Sequence, residues 1–209
     1  MYEGLALPGI QRAAEPDSLV LNRTGASIQR AYNEMMDEVG ARPELEALVL
    51  LHQDLELTDR SLPVRVRRLF QDPLVGLAGP LGARNVTPHL WPASRELYGT
   101  FREPTGERRF SCGSHEVEGV DGILLVLAPW VVRTLRFNEE LADGFHGYDV
   151  DMSLRVRAHG GIVICDDIPY FHHRNPTEDY EAQRRAGVAL ARMWDPALRS
   201  REWDSAFQL

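Results

Sequence analysis

Lysine is absent from this chain of 209 residues: all 23 basic residues are arginine, and they form no basic block. The formal net charge is −8. A protein that binds nucleic acid needs a face of basic side chains to neutralise the phosphates. The composition therefore argues against a nucleic-acid partner, although a metal ion can still bridge acidic side chains to a small phosphorylated ligand.

Cysteine and long apolar runs are also scarce. Cys112 and Cys165 lie far apart without a partner motif, which excludes a disulfide framework or a cysteine zinc site and favours a reducing cytoplasm. The longest apolar run, 123–132, is too short to span a bilayer. The first residues, MYEGLALPGI, lack the basic start and apolar stretch of a signal peptide. We therefore expect a cytoplasmic protein without a transmembrane segment, whose membrane association is at most peripheral.

Apolar runs alternate with helical patterns in the first half of the chain, which predicts an α/β fold with a parallel sheet and covering helices. The predicted strands are 17–22, 47–53 and 74–78, and the predicted helices are 27–39, with Ser27 as its N-cap, and 61–71. The second half is more mixed. Its patterns predict a loop, a hairpin, a strand, a helix, a strand and a final helix at 80–96, 97–111, 123–127, 149–159, 162–172 and 177–194.

A polar triplet, His52-Gln53-Asp54, ends the apolar run LVLL. Ligands of such α/β sheets bind beyond the carboxyl ends of the strands. A carboxylate in this place can hold a divalent cation that neutralises a diphosphate. The alternative interpretation is a polar strand end, in which Asp54 only caps the next turn.

Two aspartates, Asp149 and Asp151, begin the helix that is predicted at 149–159. The helix dipole stabilises anions in a first turn, so one interpretation is that both residues serve only the helix. The alternative is that one carboxylate projects into a ligand crevice as a general base. Residues two apart point about 200° apart around a helix. We therefore expect one of the two to carry chemistry at most.

Two histidines, His172 and His173, end the last predicted strand. Neutral imidazole is a common ligand of divalent transition metals. Adjacent strand residues face opposite sides, so only one of the pair can join Asp54 at a metal, and His172 shares a face with Ile168 and Tyr170. If Asp54 and His172 are co-ligands, we expect their carboxylate and imidazole to lie within about 5 Å. The alternative is that both histidines belong to the surface or a loop.

Taken in chain order, these places resemble the glycosyltransferases of family 2, which have the GT-A fold. The resemblance runs from about Gly25 to His173, and YDVDMSLR is its most specific piece. It is carried by the stretches GASIQRAYNEMMDEV, LVLLHQD, VDGILLV, GYDVDMSLRVRAHGG and IPYFHH. It implies a mixed, mainly parallel sheet with flanking helices. The first strand of the family is not recognisable, because MYEGLALPGI at the start of the sequence looks like the helix that follows that strand.

The resemblance also implies roles for single residues. Asp54 matches the last Asp of the family's Asp-x-Asp motif, a ligand of the metal and the donor diphosphate, and His52 takes the place of the first Asp. His172 matches the metal-binding histidine. Asp149 matches the general base that deprotonates the acceptor hydroxyl. Asn33 matches an asparagine beside the donor nucleotide.

A second group is expected at the sugar and acceptor. Asp121 and Gly122 match the segment that lines this part of the family's site, and Trp91 and Asp151 are our further candidates there. The implied cofactor is Mn²⁺ or Mg²⁺, and the implied reaction transfers a sugar from a nucleotide diphosphate to a hydroxyl with inversion. On this interpretation residues 1–209 form one domain, with a nucleotide-binding half (1–82), an acceptor and catalytic half (83–175) and a C-terminal helix (176–209).

Two other functions compete with this interpretation. His52 removes one carboxylate from the motif, and the unrecognised first strand weakens the nucleotide site; both features favour a non-catalytic module of the same fold that binds a sugar or a partner enzyme. A sugar nucleotidyltransferase has a similar sheet, but its Gly-rich, basic phosphate loop is not found near this N-terminus. The oligomeric state and the donor sugar are left open.

Overall fold

The computed structural model describes residues 1–24, 27–86, 94–141, 146–173 and 180–194. The helices predicted at 27–39 and 61–71 are both present. The hydroxyl of Ser27 accepts a hydrogen bond of 3.2 Å from the backbone N–H of Arg30, which caps the second helix as predicted. A short π-helix, Tyr2–Ala6, precedes the first helix. The α-helices are α1 (Leu7–Ala13), α2 (Ile28–Gly40), α3 (Leu62–Leu69), α4 (Pro129–Thr134), α5 (Tyr148–Ala158) and α6 (Tyr180–Trp194).

The strands of the described residues fall into three sheets of five, four and two strands. In chain order they are β1 (Leu48–Leu51), β2 (Leu55–Leu57), β3 (Val75–Gly79), β4 (Leu81–Arg84), β5 (Glu96–Glu103), β6 (Gly106–Arg109), β7 (His115–Val117), β8 (Gly119–Val120), β9 (Leu124–Leu127), β10 (Ile162–Cys165) and β11 (Tyr170–His172). The predicted hairpin is confirmed, because β5 and β6 pair antiparallel around the turn after Glu103.

The central sheet has the order β1-β9-β3-β10-β7. Among these described strands only β3 and β10 pair in parallel, whereas the sequence predicts a mainly parallel sheet. The difference comes from β9, which inserts between β1 and β3 and runs antiparallel to both, and from β7, which pairs antiparallel with β10. A continuous apolar run shows that a strand is buried on both faces, but it carries no information on direction.

Two further expectations from the sequence are corrected. The predicted strand 162–172 is two strands, because the chain turns at Asp166 and Asp167 and β11 leaves the central sheet to pair with β2. Residues 17–22 form no strand. Their apolar side chains are not buried in a sheet, since Leu19 is 49% exposed and Val20 is 40% exposed.

Apolar side chains cover both faces of the central sheet. Along β9, Leu124 and Val126 contribute to the core that contains α3, while Leu125 and Leu127 contribute to the core that contains α2 and α4. All four side chains are fully buried, which accounts for the uninterrupted apolar sequence of this strand. Within the described part of the chain, no helix has the length and apolar character needed to cross a membrane.

Candidate functional site

The two-stranded sheet brings together residues that lie far apart in the sequence. Strand β2 begins directly after Asp54, and its first residue, Leu55, pairs with His172 of β11. The backbone N–H of His173 donates a hydrogen bond of 2.8 Å to the carbonyl of Asp54. This register sets the Nε2 atom of His172 at 3.5 Å from the Oδ1 atom of Asp54, within the distance expected from the sequence.

His52 completes a group that could hold a metal ion. One ligand atom from each of His52, Asp54 and His172 lies within 4.8 Å of the other two. The alternation of side chains along β11 is as predicted: His172 is 7% exposed and faces Asp54, while His173 contacts the carboxylate of Glu56 at 3.0 Å. The structure therefore places His52, which takes the place of the first Asp of the family's motif, beside the two predicted metal ligands.

The charges of this metal group favour a bound cation. Burial lowers the pKa of His52 to about 4, so its imidazole is neutral at physiological pH. The contact with His172 lowers the pKa of Asp54, which keeps its carboxylate ionised. Burial opposes the charged form of His172, but its contact with Asp54 outweighs burial and raises the pKa above 6.5. The carboxylate of Asp54, which favours positive charge on His172, would also stabilise a bound cation.

Glu103 is a member of this site that the sequence analysis missed. Its Oε1 atom lies 3.2 Å from Nδ1 of His172, on the side of the ring away from Asp54. A carboxylate in this place accepts the Nδ1–H bond and leaves the lone pair of Nε2 directed to a metal. In the sequence Glu103 precedes a hairpin turn, and that position carries no signal of a ligand partner.

Asp149 lies at the start of α5, after Gly147, which has a positive φ of 84°. Its Oδ2 atom accepts a hydrogen bond of 2.9 Å from the backbone N–H of Gly122, and its Oδ1 atom accepts one of 2.9 Å from Val150. Burial, followed by the charge of Asp121, raises the pKa of Asp149 to about 7. A carboxyl group with this pKa exchanges its proton near physiological pH, as a general base must.

A single cleft of about 1600 Å³ adjoins these groups. It extends from the apolar segment beside β1 to the polar side chains at the start of α5. Its polar lining includes His52, Asp54, Glu103, Asp121, Asp149 and His172. The predicted metal ligands and the predicted base are therefore open to the same ligand, although they come from three different parts of the chain.

Asp121 and Gly122 line the same cleft as the metal group and Asp149. The Oδ1 atom of Asp121 accepts a hydrogen bond from the backbone N–H of Ile123 at 2.8 Å, and both Asp121 and Gly122 line the cleft. Both backbone groups of Gly122 are used: its N–H donates to Asp149 and its carbonyl accepts from Tyr148. Gly122 therefore holds the site together, in addition to the acceptor contact that the resemblance implies.

Two other predicted site residues, Asn33 and Asp151, are placed differently. Asn33 does not line the cleft; its side-chain amide accepts from the N–H of Phe137 and donates to the carbonyl of Phe137 and to Glu139. This network ties α2 to the loop after α4, so the amide is directed away from a donor in the cleft. Trp91 lies outside the described residues.

Asp151 is also not among the described residues that line the cleft. Its carboxylate accepts hydrogen bonds of 2.6 Å from Arg155 and 2.9 Å from the indole N–H of Trp194. The Trp194 contact fastens α6 to α5. The expectation that at most one of the two aspartates serves chemistry fits this arrangement, since Asp149 adjoins the cleft and Asp151 joins two helices.

Comparison with known proteins now gives the family. A profile of the Glycosyltransferase like family matches residues 14–186. The chain belongs to this glycosyltransferase-like family. The match contains every described residue of the metal group, as well as Glu103, Asp121 and Asp149.

One curated relative of this glycosyltransferase-like chain is the streptomycin biosynthesis protein StrF of Streptomyces griseus, which is 33% identical over 178 residues. The match covers 84% of this chain and 63% of StrF, so this chain spans less than two thirds of the relative's length. Among solved structures, the protein A197 from STIV is similar over 84% of this chain and 91% of its own, with a TM-score of 0.47 and 10% identity.

Proposed function

We propose that this glycosyltransferase-like chain transfers a sugar from a nucleotide diphosphate to a hydroxyl, with a divalent metal ion and with inversion at the sugar. The observation that carries the proposal is that one cleft is lined by the metal group, His52, Asp54 and His172, and by a buried Asp149 with a pKa of about 7. Family membership supports the class of reaction. A GT-A-like arrangement of the mixed sheet is part of the same proposal.

The donor atoms of the metal group fit a divalent transition metal. Imidazole is a common ligand of divalent transition metals, the series to which Mn²⁺ belongs, whereas Mg²⁺ prefers oxygen ligands. His52, Asp54 and His172 would hold the ion, and Glu103 would orient His172 from behind. A cation bound in this place supplies positive charge against a diphosphate leaving group. We therefore favour Mn²⁺ over Mg²⁺.

Asp149 would act on the acceptor. In the ionised form its carboxylate takes the proton of the acceptor hydroxyl as that oxygen forms a bond to the anomeric carbon, and the bond from that carbon to the diphosphate oxygen breaks. A single displacement of this kind inverts the configuration. The N–H groups of Gly122 and Val150 fix the carboxylate, while its burial keeps the pKa high enough for a proton to be accepted.

Titration calorimetry tests the proposal in two stages. Mn²⁺ and Mg²⁺ are titrated first, followed by UDP-, GDP- and dTDP-sugars in the presence of Mn²⁺. We expect Mn²⁺ to bind more tightly than Mg²⁺, and one class of nucleotide sugar to bind only with the metal. A variant outside the site, Asp37→Asn, removes an exposed carboxylate on α2 that pairs with Arg136, and it should bind Mn²⁺ as the wild type does.

Product analysis then separates the transferase from its competitors. NMR of the product anomer with a bound donor and simple alcohols or sugars as acceptors should show inversion. Binding of a donor without turnover, across a broad acceptor panel, would favour a non-catalytic binding module. No binding of Mn²⁺ or of any nucleotide sugar would refute the proposal.

A further inference from the structure

The hydroxyl of Tyr148 connects three parts of the site. It donates a hydrogen bond of 2.9 Å to the carbonyl of Gly122, and it lies 2.8 Å from Nε2 of His52. Tyr148 is 2% exposed, so water does not compete for these contacts. The residue precedes Asp149 directly, and the same Gly122 donates its N–H to Asp149. Tyr148 therefore contacts one member of the metal group and shares a backbone partner with the candidate base.

Counting protons assigns the tautomer of His52. A phenol has one proton, and the carbonyl of Gly122 can only accept, so the proton of Tyr148 lies in that hydrogen bond. The contact with His52 then requires Nε2 to be the donor and the phenol oxygen to be the acceptor. A histidine that binds a cation does so as a neutral imidazole, and a neutral imidazole has one protonated nitrogen. Nδ1 is consequently the nitrogen with a lone pair.

We propose that Tyr148 is a positioning residue of the metal group: its hydroxyl holds His52 in the Nε2–H form, so that Nδ1 binds the cation. The proposal rests on the proposed function, since it assumes that the group binds metal. It makes Tyr148 the counterpart of Glu103, which accepts from the ring nitrogen of His172 on the side away from Asp54. Partners of this kind fix the tautomer and the orientation of metal-binding histidines.

Close packing keeps the Tyr148 hydroxyl in this place. A Cβ atom added to Gly122 would lie 2.1 Å from the hydroxyl oxygen and 2.4 Å from Cζ of Tyr148, so residue 122 has room only for glycine. On the other side, the Tyr148 ring packs against Tyr32 and Phe137, with ring centroids at 5.9 Å and 6.1 Å. This packing fixes the phenol oxygen within hydrogen-bond distance of both the carbonyl of Gly122 and Nε2 of His52.

The wild-type protein gives the first test. A long-range ¹H–¹⁵N spectrum of protein labelled at histidine distinguishes the protonated ring nitrogen from the unprotonated one, and the spectrum of His52→Gln assigns the signals. We expect the Nε2–H form of His52 at neutral pH without metal. The Nδ1–H form would overturn the proposal. This measurement needs no change at Tyr148, so it decides the proposal even if variants at that residue fold poorly.

The second test compares Tyr148→Phe with Tyr98→Phe. Tyr98 lies on β5 against His115, does not line the cleft and loses the same hydroxyl. We expect Tyr148→Phe to bind Mn²⁺ about 10- to 100-fold more weakly than wild type, and Tyr98→Phe to stay within about threefold. Equal Mn²⁺ affinity of a folded Tyr148→Phe and wild type would overturn the proposal. Failure of wild type to bind Mn²⁺ would overturn the proposed function itself, whereas Mn²⁺ binding with the Nδ1–H form would overturn only the role of Tyr148.

Discussion

Replacing Asp149 by asparagine should remove the candidate base. It should also remove a contribution that lowers the free energy of unfolding as the pH rises. Asparagine keeps the size of the side chain and a carbonyl oxygen that can accept from Gly122 or Val150. It has no charge at any pH, whereas the wild-type carboxyl is buried and ionises only near its pKa of about 7. The two proteins should therefore differ in how their stability depends on pH.

The size of this effect follows from the two pKa values. The carboxyl has an ordinary pKa of 3.8, as in the unfolded chain, and a pKa of about 7 in the folded protein. Between these values the folded protein holds a proton that the unfolded chain has lost, so the free energy of unfolding falls as the pH rises. For this one group the fall amounts to about 2.5 kcal/mol from about pH 5 to about pH 8. Asp149→Asn should lack this contribution.

Denaturant unfolding of wild type and Asp149→Asn at several pH values between about 5 and 8 measures the difference. A chelator should be present throughout, so that metal binding adds no pH dependence of its own. All other titrating groups are common to the two proteins, and their effects cancel in the comparison. We expect Asp149→Asn to gain stability relative to wild type as the pH rises. A difference that stays constant across this range would refute the assignment of a raised pKa to Asp149.

Turnover of the same variant tests the chemical role. Once a donor is known, Asp149→Asn should retain donor binding but lose about a hundred- to ten-thousand-fold in rate, which is the usual contribution of a positioned base. In wild type, turnover should rise with pH as the carboxyl ionises. Turnover near the wild-type rate in Asp149→Asn would show that another group removes the proton.

Three further substitutions have separate expected outcomes. Asp54→Asn should weaken Mn²⁺ binding by at least about 10- to 100-fold in calorimetry, since even partners of metal ligands contribute that much. Asp151→Asn should lower the free energy of unfolding by about 1–3 kcal/mol, measured in denaturant, because it removes the charge that accepts from both Arg155 and Trp194. Gly122→Ala should cost about 1–3 kcal/mol in the same assay and weaken Mn²⁺ binding, because its Cβ atom displaces Tyr148.

Each of these expectations has a contradicting result. Unchanged Mn²⁺ affinity in Asp54→Asn would remove that carboxylate from the metal group. A loss of turnover in Asp151→Asn without a change in stability would transfer a chemical role to it. Wild-type stability in Gly122→Ala would show that the Tyr148 ring can move aside, which would weaken the argument for a fixed tautomer of His52.

Local signals in the sequence were reliable where one residue decides a local structure. Ser27 predicts the start of α2 because its hydroxyl can accept from a nearby backbone N–H, and the structure has this bond. The alternation of side chains on a strand predicts that His172, and not His173, faces Asp54, and the structure places them so. Metal ligation itself stays a prediction.

Such signals could not predict the direction of β9 or the division of residues 162–172 between two sheets. Strand β9 runs antiparallel to its two neighbours, and the last predicted strand divides at Asp166. Hydrophobic periodicity reports which faces of a strand are buried, and it is the same for either direction of the chain. Direction and sheet membership depend on the partners that a strand finds in the folded molecule.

The residue types that bind a cation or accept a proton are visible in the chain, because His52, Asp54, Asp149 and His172 all stand at the ends of apolar runs or the start of a helix. Their partners are not visible. Tyr148 meets His52 across 96 positions, and Glu103 meets His172 across 69. The tautomer of an imidazole depends on which group contacts its other nitrogen, and a distant pair of residues becomes such a contact only when the tertiary structure packs them together.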